Sequence, residues 1–482
     1  MIVWLARVTF GIFTRRVANL AIGLLTVAMA IAGCGSASKD NNQSPATPPA
    51  SARDGGSHPA NVDGGGEPDA AADPVFDGGE PNIGPTRIYD TSAESFEAET
   101  TVAVSAQGDV VVAWMADTSA GSRLGYAVSR DRGSTWGAPE LVSPSTASRL
   151  VGDPALVATS SGAFMLVWID YLENDTYEEN LFAAKLAPSD RAFGNRATIA
   201  DRGSYDKPWI VSAANGTADE TLIVAYGFGT TDESGIAVAR SADGRTWSRV
   251  VVARDTDDEN YNFARPCTTP SGDRIYLAYL RMNASDRVDD VRLARSDDHG
   301  ASWPATASVS VPIAGESLAL DDAACAITGG DVWVSYGVSR DWSIDLSPRL
   351  SAVELARSSN QGRTFDRRLS LRNADPGIAY MHPQIVADGL GALHVLYYEG
   401  HAASLRDGHM RRAEIPAGGD ALVEHVALDE GLVMERGREV PNWLGDYFGV
   451  AWSRGSLFTA YAQNADGSSH VAFARARTQA TR

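Results

Sequence analysis

The chain reads as an all-β protein, a β-propeller with seven blades favoured over six, and three observations lead there. One short polar phrase recurs four times, always between two apolar strands. Paired apolar strands recur seven times between residue 86 and the end, at a period of about 57 residues that suits propeller blades. No stretch sustains helical periodicity, which leaves strands as the only regular element.

The phrase stands as Ser129-Arg-Asp131-Arg-Gly133-Ser-Thr-Trp136, Ser241-Ala-Asp243-Gly244-Arg-Thr-Trp247, Ser296-Asp-Asp298-His-Gly300-Ala-Ser-Trp303 and Ser358-Ser-Asn360-Gln-Gly362-Arg-Thr-Phe365. Its residue types suit a tight hairpin. Ser and Asp (or Asn) oxygens cap backbone N–H groups, Gly accepts positive φ, and the aromatic tucks beneath as a plug. A motif whose polar atoms are consumed by its own backbone is structural. Ser189, Asp190 and Phe193 read as a decayed copy.

Residues 1–33 carry Arg7, Arg15 and Arg16 without an acid, then an apolar run from Val17 to Ala32 and the sequence Ile31-Ala32-Gly33-Cys34. The run is short for a bilayer span, and small residues before a lone Cys fit an export signal with a lipobox. This segment resembles those of bacterial lipoproteins. The resemblance implies a lipid on Cys34, and Gly35 rather than Asp after it implies the outer membrane. Residues 34–85 are rich in Gly, Pro, Ala, Ser and Asp and too poor in apolar residues to fold, so they read as a flexible tether. The propeller domain is then 86–482.

Within it, the first half of each unit is visible in order: Thr101 with Val110 to Trp114, Pro154 with Phe164 to Trp168, Pro208 with Leu222 to Tyr226, and Pro266 with Ile275 to Tyr279. Ala324 with Val332 to Tyr336, Pro383 with Leu393 to Tyr397, and Phe448 with Leu457 to Tyr461 complete the series. The last unit ends one strand short after Val471 to Arg477. Thr86 to Asp90 is the natural strand to complete it and remove the exposed edges.

The repeated phrase is the Asp-box signature, and by it residues 86–482 resemble the sialidase-like β-propellers, the superfamily of BNR or Asp-box repeats. Sialidases of that group have six blades, an Arg-Ile-Pro on the first inner strand, three Arg gripping the substrate carboxylate, a Tyr nucleophile paired with Glu, and an Asp acid/base. Here the first inner strand begins Glu99-Thr-Thr without Arg, and Arg87-Ile88-Tyr89 lacks the Pro. Without three Arg, capture of a sialic acid carboxylate is hard to build.

The innermost strand of each blade begins on one face of the ring, where ligands bind in a funnel. Those ends supply Glu97 to Glu99, Asp153, Asp206 with Lys207 and Trp209, Arg265, Asp321 with Asp322, His382, and Trp443 with Asp446 and Tyr447. Crowded carboxylates push some pKa values upward, as a general acid needs. The candidate catalytic set is Asp153, Asp206, Asp446 and Tyr447. Lys207, Trp209, Arg265, Asp322, His382 and Trp443 are candidate ligand-binding residues, with Trp faces for sugars and cations for polar substituents.

Cys267 and Cys325 each lie six residues before the Asp of a Gly-Asp turn. In an exported chain that registry fits either a disulfide between neighbouring inner strands or two buried thiols. The acidic stretches Asp255 to Asn260 and Asp170 to Asn180 read as solvated loops, with a structural calcium ion as the lesser reading. No phosphate loop, dinucleotide fingerprint or catalytic Ser or Cys motif appears, so no cofactor is expected.

The net charge of −20 repels nucleic acid and anionic lipid. Three classes of function remain for an exported, lipid-anchored, monomeric chain. They are a recognition propeller binding a glycan or protein in its funnel, a glycoside hydrolase, and an envelope interaction scaffold.

Overall fold

The computed structural model describes residues 82–90, 96–118, 121–172, 175–214, 220–311, 313–321, 323–340, 350–402, 407–425, 427–434, 444–465 and 469–478. The described residues all belong to one compact unit, which lies within Gly78–Arg482. The expected export signal, Cys34 and most of the tether fall outside the described residues, as do Asp322 and Trp443.

Every regular element among the described residues is a strand, and no helix there is long and apolar enough to cross a membrane. The strands form antiparallel meanders. In the first, Phe96–Val104, Val110–Thr118, Gly121–Ser129 and Glu140–Val142 pair in chain order. A seven-stranded sheet follows, joined by the 18-residue strand Ala197–Ala214. Residues Ala197 to Gly203 of that strand pair back onto Asp175–Leu186, and Ser204 to Ala214 pair forward with Glu220–Gly229. One strand thus closes one meander and opens the next.

The innermost strands are Phe96–Val104, Leu150–Ala158, the second half of Ala197–Ala214, Glu259–Thr268, Ala324–Thr328, Ile378–Ala387 and Gly449–Ser453. Each lies against its successor, and Gly449–Ser453 lies back against Phe96–Val104, so they form a closed ring. This is a β-propeller. At the seam the backbones approach so closely that a Cβ on Gly449 would sit 2.5 Å from the Val102 nitrogen. The Thr100 hydroxyl donates to the Ala460 carbonyl at 2.6 Å across the same seam. Ile83–Asp90 pairs with His470–Arg477, so the first and last described strands share one sheet.

The second strand of a meander is covered on both faces by neighbouring meanders, which explains why these strands read as continuous apolar runs. Val110 to Ala116, Phe164 to Ile169 and Leu393 to Tyr398 are buried almost throughout. The core therefore lies in wedges between adjacent sheets. One wedge joins Val111, Leu124 and Tyr126 to Leu166 and Trp168, and another joins Val112 and Trp114 to Phe458 and Phe473.

The four repeated phrases form hairpin turns of one design. In the first, Ser129 Oγ donates to Asp131 Oδ1 at 2.7 Å and accepts from the Gly133 N–H at 2.8 Å, while Asp131 Oδ1 accepts from the Thr135 N–H at 2.8 Å. Trp136 meets Phe473 edge to face at 5.0 Å, which ties the turn to the neighbouring sheet. In the fourth, Asn360 Oδ1 takes the Thr364 N–H at 3.0 Å in the place of an Asp oxygen.

The Asp turns carry an acid signature. Backbone N–H groups of Thr246 and Arg245, with the Ser241 hydroxyl, pull the Asp243 carboxyl down to about 2 from 3.8. A depressed folded pKa gives stability that is complete above the unfolded value and is lost as pH falls through the folded one. The Asp243→Asn variant is therefore expected to show a flatter stability curve than the parent between about pH 4 and pH 2, read by urea unfolding at each pH.

Cys267 and Cys325 are joined in a disulfide with a Cα separation of 5.7 Å. It links the innermost strands Glu259–Thr268 and Ala324–Thr328.

The stretch Asp170 to Asn180 differs from its expected character as a solvated loop. Asp170 is fully buried, pairs with Arg149 and accepts from the Ser145 N–H at 2.6 Å and the Ser145 hydroxyl at 2.8 Å. Glu179 is also buried and accepts the Tyr205 N–H at 2.5 Å. These acids cap backbone at a strand junction, which a charge count cannot distinguish from a wet loop.

Candidate functional site at the ring axis

Five innermost strands share a local break in register at the same place. The breaks fall between Ala98 and Thr101, Gly152 and Ala155, Asp206 and Trp209, Asn262 and Arg265, and Met381 and Gln384. The first residue of each bulge is Glu99, Asp153, Lys207, Phe263 or His382, with φ of 51°, 52°, 43°, 59° and 50°. Positive φ is costly for a residue with a side chain. A bulge of this kind re-aims a side chain, and here it does so five times around one axis.

Three levels of side chain result. At the outermost, the Asn262 amide donates to Asp206 Oδ2 at 2.9 Å, and both residues are half-buried. Next comes a buried charged level. Lys207 Nζ reaches across the ring to Asp446 Oδ2 at 2.9 Å, between the rings of Phe263 and Tyr447 at 5.5 and 5.4 Å. Asp153 accepts the Lys207 backbone N–H at 3.2 Å. Asp321 repeats this on His382, taking its N–H at 3.2 Å and facing its Nδ1 at 3.4 Å. At the third level the Arg265 guanidinium lies 3.7 Å over the Trp209 ring and donates to Gln384 Oε1.

This geometry moves one expected residue. A proline follows Arg265 in the sequence, as it follows Asp153, Lys207 and His382. In the structure Phe263 holds the bulge and Arg265 lies two residues further along, level with Trp209 and Gln384. Sequence reasoning therefore missed Asn262, Phe263 and Gln384. Counting back from the paired strand, rather than from the proline, would have found them.

The described members of the expected set are brought together at the axis, but most of them are enclosed. Asp153, Lys207, Arg265, His382, Asp446 and Tyr447 are buried, and among the described members only Asp206 and Trp209 retain accessible surface. The Tyr447 hydroxyl donates to the Pro154 carbonyl at 3.1 Å and its ring meets Trp209 at 5.1 Å, an arrangement for packing rather than for attack on a substrate.

Burial pushes the Asp206 carboxyl up to about 6 from 3.8, with Asp153 and Asp446 adding to the rise and Lys207 and Asn262 opposing it. Burial also raises Asp446, against the pull of Lys207 and His382. A carboxyl raised in the folded protein destabilises it progressively as pH climbs from the unfolded to the folded value, and fully above that. The Asp206→Asn variant is expected to unfold about 1–2 kcal/mol later than the parent at pH 8. Below about pH 4 the gain is expected to vanish, since the parent then carries a neutral carboxyl as well.

Among the described residues no group of three or more His, Cys, Asp or Glu is arranged to hold a metal ion.

Fold and site together define a β-propeller with a charged cluster enclosed at its axis. No protein-family model and no curated protein matches the chain. Among solved structures it is similar to a Dyadobacter fermentans protein of unknown function, at 14% identity over 83% of this chain and 99% of that one, with a TM-score of 0.47. A Trypanosoma rangeli sialidase in complex with sialic acid is similar at 12% identity over 82% of this chain and 59% of the sialidase, with a TM-score of 0.45. A Penicillium chrysogenum α-L-arabinanase complexed with arabinobiose is similar at 11% identity over 67% and 92%, with a TM-score of 0.43.

Proposed function

We propose that this protein is a seven-bladed, sialidase-like propeller of the bacterial envelope that binds a glycan at the mouth of its axial funnel. In this reading the chain is exported, anchored to the outer membrane by a lipid on Cys34, and carries the propeller on a flexible tether. The observation that carries the ligand reading is Asp206. Its carboxyl is raised to about 6 and held by Asn262, and the residue is only half-buried at the outermost level of the axis. A purely structural acid would gain nothing from that exposure.

A glycoside hydrolase is the second reading, because a carboxyl with a raised pKa suits proton donation to a leaving group. Sialic acid is disfavoured as substrate. Arg265 is engaged by Trp209 and Gln384, and the surroundings are dominated by carboxylates.

The test uses the purified full-length protein with immobilised neutral glycans and sialosides, and with the same glycans free in solution. Retention of a neutral glycan is expected, reduced at least about tenfold by Asp206→Asn and unchanged by Tyr447→Phe. Sugar release that Asp206→Asn abolishes would establish the hydrolase. Release of sialic acid, or retention indifferent to Asp206→Asn, would overturn the reading.

A further inference from the structure

We infer that Asn262 is a positioning residue of the axial site, whose amide holds Asp206 so that Oδ1, and not Oδ2, is the oxygen that meets the ligand. The inference deepens the reading of the axial mouth as a glycan site and rests on it. Its first ground is a chain of hydrogen bonds that leaves the amide one orientation. The Phe263 N–H donates to Asn262 Oδ1 at 2.8 Å, and Asn262 Nδ2 donates to Asp206 Oδ2 at 2.9 Å. Turning the amide over would set its NH2 against the Phe263 N–H and its oxygen against a carboxylate, and both bonds would be lost. Phe263 is the bulged residue of its strand, with φ of 59°, so the bulge aims the N–H that fixes the amide.

The second ground is the space kept for that amide. Gly227 pairs with Asp206 within one sheet, at a break in register. Asn262 reaches them from the next innermost strand, Glu259–Thr268, which belongs to another sheet. A Cβ on Gly227 would sit 2.6 Å from Asn262 Oδ1, whereas Asp206 Cβ would be 3.6 Å away, an ordinary contact. Gly227 is not at positive φ, so what calls for glycine there is the room the amide takes.

The third ground is what the donor does to the carboxyl. Oδ2 is taken by Asn262, which leaves Oδ1 as the oxygen without a hydrogen bond from the described residues. A donor held on Oδ2 also decides where a proton goes, because Oδ2 then stays the carbonyl oxygen and the hydroxyl forms on Oδ1. Oδ1 thus accepts from a sugar hydroxyl when ionised and donates to one when protonated. The groups that face Asp206 set the balance. Burial and the charges of Asp153 and Asp446 raise its carboxyl to about 6, against the pull of Lys207 and Asn262. Asp446 is in turn raised by burial and pulled down by Lys207 and His382. Removing the Asn262 donor takes away one of the two opposing pulls, so the Asp206 pKa rises further.

The experiment uses the full-length protein and two readouts. One is the titration of the Asp206 carboxyl by carbon NMR on aspartate labelled at Cγ, its signal identified by its loss in Asp206→Asn. The other is retention on immobilised cellotetraose and N-acetylglucosamine tetramer, both neutral, at neutral pH. Asn262→Leu removes the amide, and Gly227→Ala displaces it without removing it. Asn260→Leu is the control, since Asn260 makes the same kind of bond to Asp286 at 2.9 Å on the same strand. Melting curves show that each variant is folded. The expected midpoint is about pH 6 in the parent and the control. In Asn262→Leu and Gly227→Ala it is expected about one pH unit higher, with retention weakened about fivefold or more. Midpoints that do not move in either variant overturn the inference and leave the glycan reading standing. Midpoints that move while retention stays at the parent level also overturn it, because Asn262 then serves the proton and not the ligand. A parent that retains neither tetramer sinks the glycan reading and the inference with it.

Discussion

Replacing Lys207 with methionine is expected to cost about 3–5 kcal/mol of folding stability at pH 7, the range for removing one partner of a buried ion pair. The ammonium is 1% exposed and lies 2.9 Å from Asp446, itself 4% exposed. Without it, Asp446 remains a buried anion, with Asp153 among the acids raising its pKa. The sign of the pH dependence distinguishes this from a simple packing loss. The orphaned carboxyl has a raised pKa, so protonation relieves the penalty, and the loss should shrink as pH falls toward 5. Urea unfolding at both pH values measures it. A second change, Asp446→Leu on the Lys207→Met background, is expected to recover part of the loss, since an apolar pair of similar volume often matches a buried ion pair. A loss below about 1 kcal/mol, typical of an exposed pair, would mean that water reaches the axis at this level.

Cys267→Ser with Cys325→Ser ranks beside it. The bridge closes a loop with a sequence separation of 58 residues, and the chain-entropy model gives about 4 kcal/mol for that length. The bridge also serves the site. Arg265 lies two residues before Cys267 on the same strand, and the Cys325 sulfur sits 3.7 Å from the Arg265 carbonyl oxygen. Comparison of the double variant with the oxidised and reduced parent isolates the covalent term. The reduced parent should match the variant, and equal stability of all three would show that packing alone holds these strands.

The Asp-box turns were legible in the sequence because their chemistry is local. Ser129, Asp131 and Gly133 satisfy one another within five residues. The innermost strands were legible where proline follows the bulge, as at Asp153, Lys207 and His382. Phe263 was hidden because its strand places the proline three residues later. The pairing of Lys207 with Asp446 joins residues 239 positions apart, and only ring closure makes them neighbours. Composition could count the acids around the axis. It could not show that Asp153 and Asp321 spend an oxygen each on capping the next bulge, whereas Asp206 stays accessible. Nor could it show that Asp170 neutralises Arg149 within the protein rather than facing water.

The most direct test of the account is a crystal structure of the protein grown with a bound neutral oligosaccharide. The account predicts sugar density at the axial mouth, with a polar substituent within hydrogen-bonding distance of Asp206 and Asn262. Sugar bound only on the outer rim, with Asp206 and Asn262 untouched, would contradict it.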